Sequence, residues 1–218
     1  MKSYFSSYKG VRNIFRRYWD VYGGRSALFR SPYFQLSAVL AAVMFPAWLP
    51  SWADSKWWEL VISIMPNVLG FSLGGYAIWL GFGSEKFMAF LCAKEETEER
   101  SVYIHASSTF LHFIILQVLA LLTALIARSM FFTVDETNVL VVKLGRIGVD
   151  AYNIFWIMAH IGCFVGYWLF IYSLLAALAA AMAVFRVSSW YDIYQNENKL
   201  EPTTEDLLKK IVDILEKK

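Results

Sequence analysis

Residues 58–82 read WELVISIMPNVLGFSLGGYAIWLGF, and the 25 positions from Leu60 to Ser84 carry no charge. At about 1.5 Å of rise per residue, a helix of that length exceeds the roughly 30 Å hydrocarbon core of a bilayer. The stretch predicts a transmembrane helix. Gly70 and Gly74 form a small-xxx-small step, with Ser72 and Gly75 beside it, which lets another helix backbone approach where lipid supplies no hydrophobic drive. One turn earlier, Pro66 removes a backbone donor, and Asn67 offers an amide to take up the freed hydrogen bonding or to face a partner. The expectation is a Pro-kinked packing helix, with a pore-lining or ligand-binding break as the alternative.

The flanking sequence has the same character. Of 218 residues, 58% are hydrophobic and 17% charged, too apolar for a soluble domain that needs a polar surface. The expected fold class is an all-α integral membrane protein, a four-transmembrane-helix bundle with spans at about 33–52, 58–82, 107–131 and 152–185. The first span is short, and its far end is marked by Pro46, Pro50 and the tryptophans Trp48, Trp52, Trp57 and Trp58, which suit headgroup level. Ser51-Trp52-Ala53 loosely imitates a cleavage site, but 30 residues precede the apolar run, so a signal peptide is not expected. The third span brings His105 and His112, seven apart on one helical face, and the deeper Gln117; neutral histidines hydrogen-bonded between helices are the expectation there. The fourth stretch, Ala151 to Phe185, has no formal charge over 35 residues, about 50 Å as a helix, and must lean or emerge still helical. Gly162 and Gly166 form a GxxxG step in it, and Ala177 continues a small-residue surface suited to packing within the chain or around an oligomer axis.

Outside the spans the chain falls into a basic amphipathic cytoplasmic segment, 1–32, and a cytoplasmic linker and terminal helix, 186–218. Met1 to Arg30 sets seven Lys and Arg against Asp20 alone, which places the N-terminus on the cytoplasmic face by the positive-inside rule. Phe5, Tyr8, Val11, Phe15, Tyr18, Trp19 and Tyr22 recur at helical spacing opposite Arg12, Arg16 and Arg17, the pattern of an interfacial helix on the anionic cytoplasmic leaflet. Direct nucleic-acid binding is not expected, because no nucleic-acid-binding fold accompanies these basic residues. Gly23 and Gly24 end that helix. Between the second and third spans, Phe87, Phe90 and Leu91 give a short amphipathic helix, and the run Glu95, Glu96, Glu98, Glu99 reads as a solvated face. The outer loop, Thr133 to Asp150, contains the apolar run Val139 to Val142, open to reading as a strand, an interfacial segment or a partner contact. Gln195 to Glu201 reads as a linker, and Leu207, Leu208, Ile211 and Leu215 share one side of the terminal helix. That face needs a surface: its own bundle, another copy, or a cytosolic protein.

The chain has no phosphate-binding Gly-Lys-Ser loop, HExxH or CxxC. Cys92 and Cys163 fall in a loop and a span, which suggests neither a disulfide nor a metal cluster. No catalysis, cofactor or metal is therefore expected. The expected role is an oligomeric scaffold or sensor of the bacterial inner membrane, both termini cytoplasmic, recruiting a cytosolic effector. A homo-oligomeric channel lined by Pro66, Asn67 and Ser72 is the alternative. With PNVLGFSLGGYAIWLGFG at residues 66–83 and cytoplasmic helices at both ends, the four-span layout resembles the membrane component of the bacterial Kiwa anti-phage system. The resemblance implies a membrane oligomer paired with a cytosolic nucleic-acid-binding effector, and carries no functional residue across.

Overall fold

The computed structural model describes residues 2–49, 56–81, 83–93, 100–130, 145 and 151–200. Among them the chain is all helical, without strands. Three helices are long and apolar enough to cross a membrane: α5, Trp57–Gly81; α7, Val102–Ser129; and α8, Ala151–Leu200, apolar within Asn153–Asn196. Around them lie α1, Lys2–Tyr22; α2, Gly24–Arg30; α3, Pro32–Val43; α4, Phe45–Trp48; and α6, Glu85–Cys92.

The expected first span, 33–52, is divided. Its apolar helix α3 has 12 residues, too few to cross a bilayer alone, and a turn at Met44 separates it from α4. Pro46 is the cause. It has no N–H for the carbonyl of Ala42, four residues back, and its ring crowds that carbonyl. The indole of Trp48 then donates to the carbonyl of Ala41 at 2.7 Å, tying α4 to the last turns of α3. Pro66 acts differently, since α5 continues through it as one helix.

Side-chain contacts fix the helix directions. Phe34 meets Tyr172 edge-on, Trp168 donates to Ser37 at 2.8 Å, and Trp48 meets Phe164, so α3 and α4 run antiparallel to α8. Gly166 faces Trp57, and Ser173 donates to the sulfur of Met65 at 3.5 Å, so α5 runs parallel to α8. Gln117 donates to Ser72 at 2.9 Å and Trp79 to Ser107 at 3.1 Å, so α7 runs antiparallel to α5. Each such interhelical bond is worth only about 0.6 kcal/mol in a membrane bundle. They set register, while close packing holds the helices, helped on α7 by the fully buried Ala120 and Ala124.

With directions alternating, the start of α3 and the end of α8 lie at the same end of the bundle. The expected linker at Gln195 is instead part of α8, which continues to Leu200. No Pro or Gly interrupts residues 186–200, and the extension has a surface to pack on. Phe87 of α6, fully buried, meets Tyr191 edge-on at 4.8 Å, and Phe90 lies 5.5 Å from Tyr194. Polar composition alone misread this segment. Ser84 caps α6 by accepting from Phe87 N at 3.3 Å, after Gly83 turns the chain at φ +95°.

Candidate functional site where the N-terminal helix meets the bundle

The site begins with a turn that only glycine accommodates readily. Gly23 and Gly24 have φ of +101° and +63°, in left-handed space where a Cβ is disfavoured. This turn separates α1 from α2 and lets α1 pack against α7.

The contact divides the apolar face of α1. Tyr8, Val11 and Phe15 are exposed, while Tyr18 is only 6% exposed. Its hydroxyl lies 2.5 Å from Nδ1 of His112, and the Tyr172 hydroxyl lies 3.0 Å from Nε2 of the same ring. Tyr22 stacks on the imidazole at a centroid distance of 4.0 Å and 17° between planes. A neutral imidazole has one N–H and one bare nitrogen, so one tyrosine donates to it and the other accepts from it. The ring thus joins α1, α7 and α8. Burial pushes the Tyr18 phenol well above its ordinary range, with Tyr22 adding to the shift, and burial also raises Tyr22. Both hydroxyls stay protonated at neutral pH.

Beside this junction an open groove of ≈ 710 Å³ runs between α1 and the start of α7. Asn13, Arg16, Arg17 and Asp20 line one wall, and their spacing puts them on one face of α1. The other wall is Arg100, Ser101, Tyr103 and Ile104. Arg100 donates to the backbone carbonyl of Asp20, in the last turn of α1, where helix carbonyls lack partners. Ser101, which lines the groove, is the N-cap of the 28-residue α7, and among the described residues its side chain makes no cap hydrogen bond to the first N–H groups.

Comparison of the chain with family models, curated proteins and solved structures finds no match.

The other expected residues are dispersed. Arg12, Arg16 and Arg17 are exposed, but only the last two line the groove. Gly70 and Gly74 lie on the outward side of α5, with open space where a Cβ would stand; the same is true of Gly162. Gly166 differs: a Cβ there would lie 2.4 Å from Cη2 of Trp57, so the GxxxG step seats an indole with its second glycine. Ala177 packs on the inner cluster with Trp79, Phe110 and Tyr172. His105 is exposed, and His160 packs against Trp156 near the start of α8, so the three histidines do not meet. No group of three His, Cys, Asp or Glu converges among the described residues. Leu207, Leu208, Ile211 and Leu215, the acidic run at Glu95–Glu99 and the outer loop Val139–Val142 lie outside the described residues.

Sequence reasoning missed Tyr172 and Arg100 as members of this site. Arg100 appeared only as one more charge in a loop, although the face Asn13, Arg16, Arg17, Asp20 was readable.

Proposed function

We propose that the protein is a non-enzymatic, homo-oligomeric scaffold or sensor of the bacterial cytoplasmic membrane that recruits or regulates a cytosolic effector. In this reading α3 with α4 makes the first of four crossings and both termini are cytoplasmic, in keeping with the alternating helix directions. An anti-phage role alongside a nucleic-acid-binding effector, as in the Kiwa system that the layout resembles, fits this arrangement.

One observation carries the oligomer. Asn67 is exposed near the middle of α5, and its amide makes no hydrogen bond among the described residues. An amide facing hydrocarbon is costly. Ser63, Gly70 and Gly74 share its face at helical spacing and are exposed too, so a second copy can bring its backbone close and pair the amides. Cysteine placed at Asn67 should crosslink between copies in native membranes, whereas cysteine at Leu73, 50% exposed and about 120° around the helix from Asn67, should not. Absence of any crosslink at position 67 would remove the oligomer.

Partner recruitment has its own test. Deleting residues 203–218 should release a cytosolic protein from the membrane fraction while insertion is kept; unchanged co-purification would count against it.

The same Asn67 face supports a second reading, a channel in which these polar groups line water around the oligomer axis. Reproducible unitary currents from purified protein in planar bilayers, abolished by Gly74→Leu, would favour the channel over the scaffold.

A further inference from the structure

The groove between α1 and the first turn of α7 combines features that neither helix supplies alone. Among the described residues, three guanidinium groups, from Arg16, Arg17 and Arg100, line it against one carboxylate, that of Asp20. Arginine presents a planar fork of donors that matches phosphate oxygens. The uncapped start of α7 adds peptide N–H groups and the positive end of a helix dipole. The volume of ≈ 710 Å³ lies within the roughly 300–1,000 Å³ typical of ligand sites.

The remaining lining selects among phosphates. Val21, Tyr103 and Ile104 put apolar surface beside the arginines, and the apolar sequence of α7 begins at Val102, between the lining residues Ser101 and Tyr103. A small soluble anion has no use for that surface. A lipid phosphate, joined to glycerol and acyl chains at the edge of a membrane-crossing helix, does.

We infer that this groove binds the phosphate of one anionic glycerophospholipid, held by Arg16, Arg17 and Arg100. The inference rests on the reading of α1 as lying at the cytoplasmic leaflet, and it adds a discrete headgroup site to what would otherwise be diffuse attraction. The occupied groove bridges α1 to α7, so lipid binding strengthens docking of the N-terminal helix.

The test uses full-length protein in an uncharged maltoside detergent, titrated with short-chain phosphatidylglycerol and followed by calorimetry. Saturable binding of one lipid per chain is expected, with no binding of the matching phosphatidylcholine. Arg17→Gln should weaken it about tenfold, as loss of one charge-assisted contact does. Arg16→Gln should act likewise. Arg100→Gln should act similarly but also loosen α1, so the two α1 variants, whose side chains are exposed, separate lost binding from lost docking. Arg12→Gln, which lies outside the groove, should leave affinity unchanged. Equal loss in Arg12→Gln, non-saturable binding, or full displacement by an equal concentration of inorganic phosphate would each overturn the inference. None of these outcomes bears on effector release by the 203–218 deletion, so the two readings fail separately.

Discussion

The Tyr18 hydroxyl meets His112 Nδ1 at 2.5 Å across 94 residues of chain, and through that contact the amphipathic N-terminal helix becomes part of the bundle. Tyr18→Phe removes the hydroxyl and leaves a buried ring nitrogen unpaired, at a cost of about 1–3 kcal/mol. Amide hydrogen exchange should quicken along α1 by about tenfold or more while α7 and α8 stay protected. Unchanged exchange in α1 would show that the hydroxyl does not hold it.

Alkaline pH should loosen the same junction. Burial raises the docked Tyr18 phenol above its ordinary value of 10.0, so the docked state holds its proton more tightly than the released state. Docking is then fully present below pH 10, and weakens as pH rises from there toward the docked value. A fluorophore on α1 should report release in that window, and Tyr18→Phe, already loosened, should respond less.

Gly166→Ala should displace Trp57, whose ring atoms would lie 2.4 and 2.8 Å from the added carbon. Overpacking of this kind costs about 1–3 kcal/mol. Gly162→Ala, with no neighbour within 4 Å, should change stability by no more than about 0.5 kcal/mol. Denaturant unfolding in detergent, followed by tryptophan fluorescence, separates the two.

Gln117 is fully buried, with its Nε2 donating to Ser72 and its Oε1 without a partner among the described residues. Gln117→Leu removes both, and Ser72 keeps its own bond to the carbonyl of Val68 at 2.6 Å. The change should be close to neutral, within about 1 kcal/mol in the same unfolding assay. A loss well above that would point to a role for the amide beyond packing.

Charge-free length and helical period made α5, α7 and the apolar part of α8 legible, because lipid demands about 20 apolar residues per crossing. Local chemistry also announced the Gly23-Gly24 turn and the short helix around Phe87. The break at Met44 was harder to see: Pro46 was noted as an end marker, while its effect on the preceding turn shortens α3 to 12 residues. The stretch of α8 leading to Gln195 packs against α6 through Tyr191 and Tyr194, a contact between residues about 100 positions apart that no local pattern encodes. The candidate site had the same difficulty. The seven-residue spacing of His105 and His112 suggested a shared face, yet only His112 finds tyrosines, one from each of two distant helices. Arg16 and Arg17 were visible as basic residues on a surface helix, and Arg100, which completes the groove, became meaningful only once α1 lay beside it.

The 50 residues of α8 form one unbroken helix, about 75 Å from end to end. Such a rod acts as a pointer: a swing of about 10° about one end carries the other through roughly 13 Å, by the geometry of a straight helix of that length. Any small change in the tilt of α8 is thereby magnified at its far end.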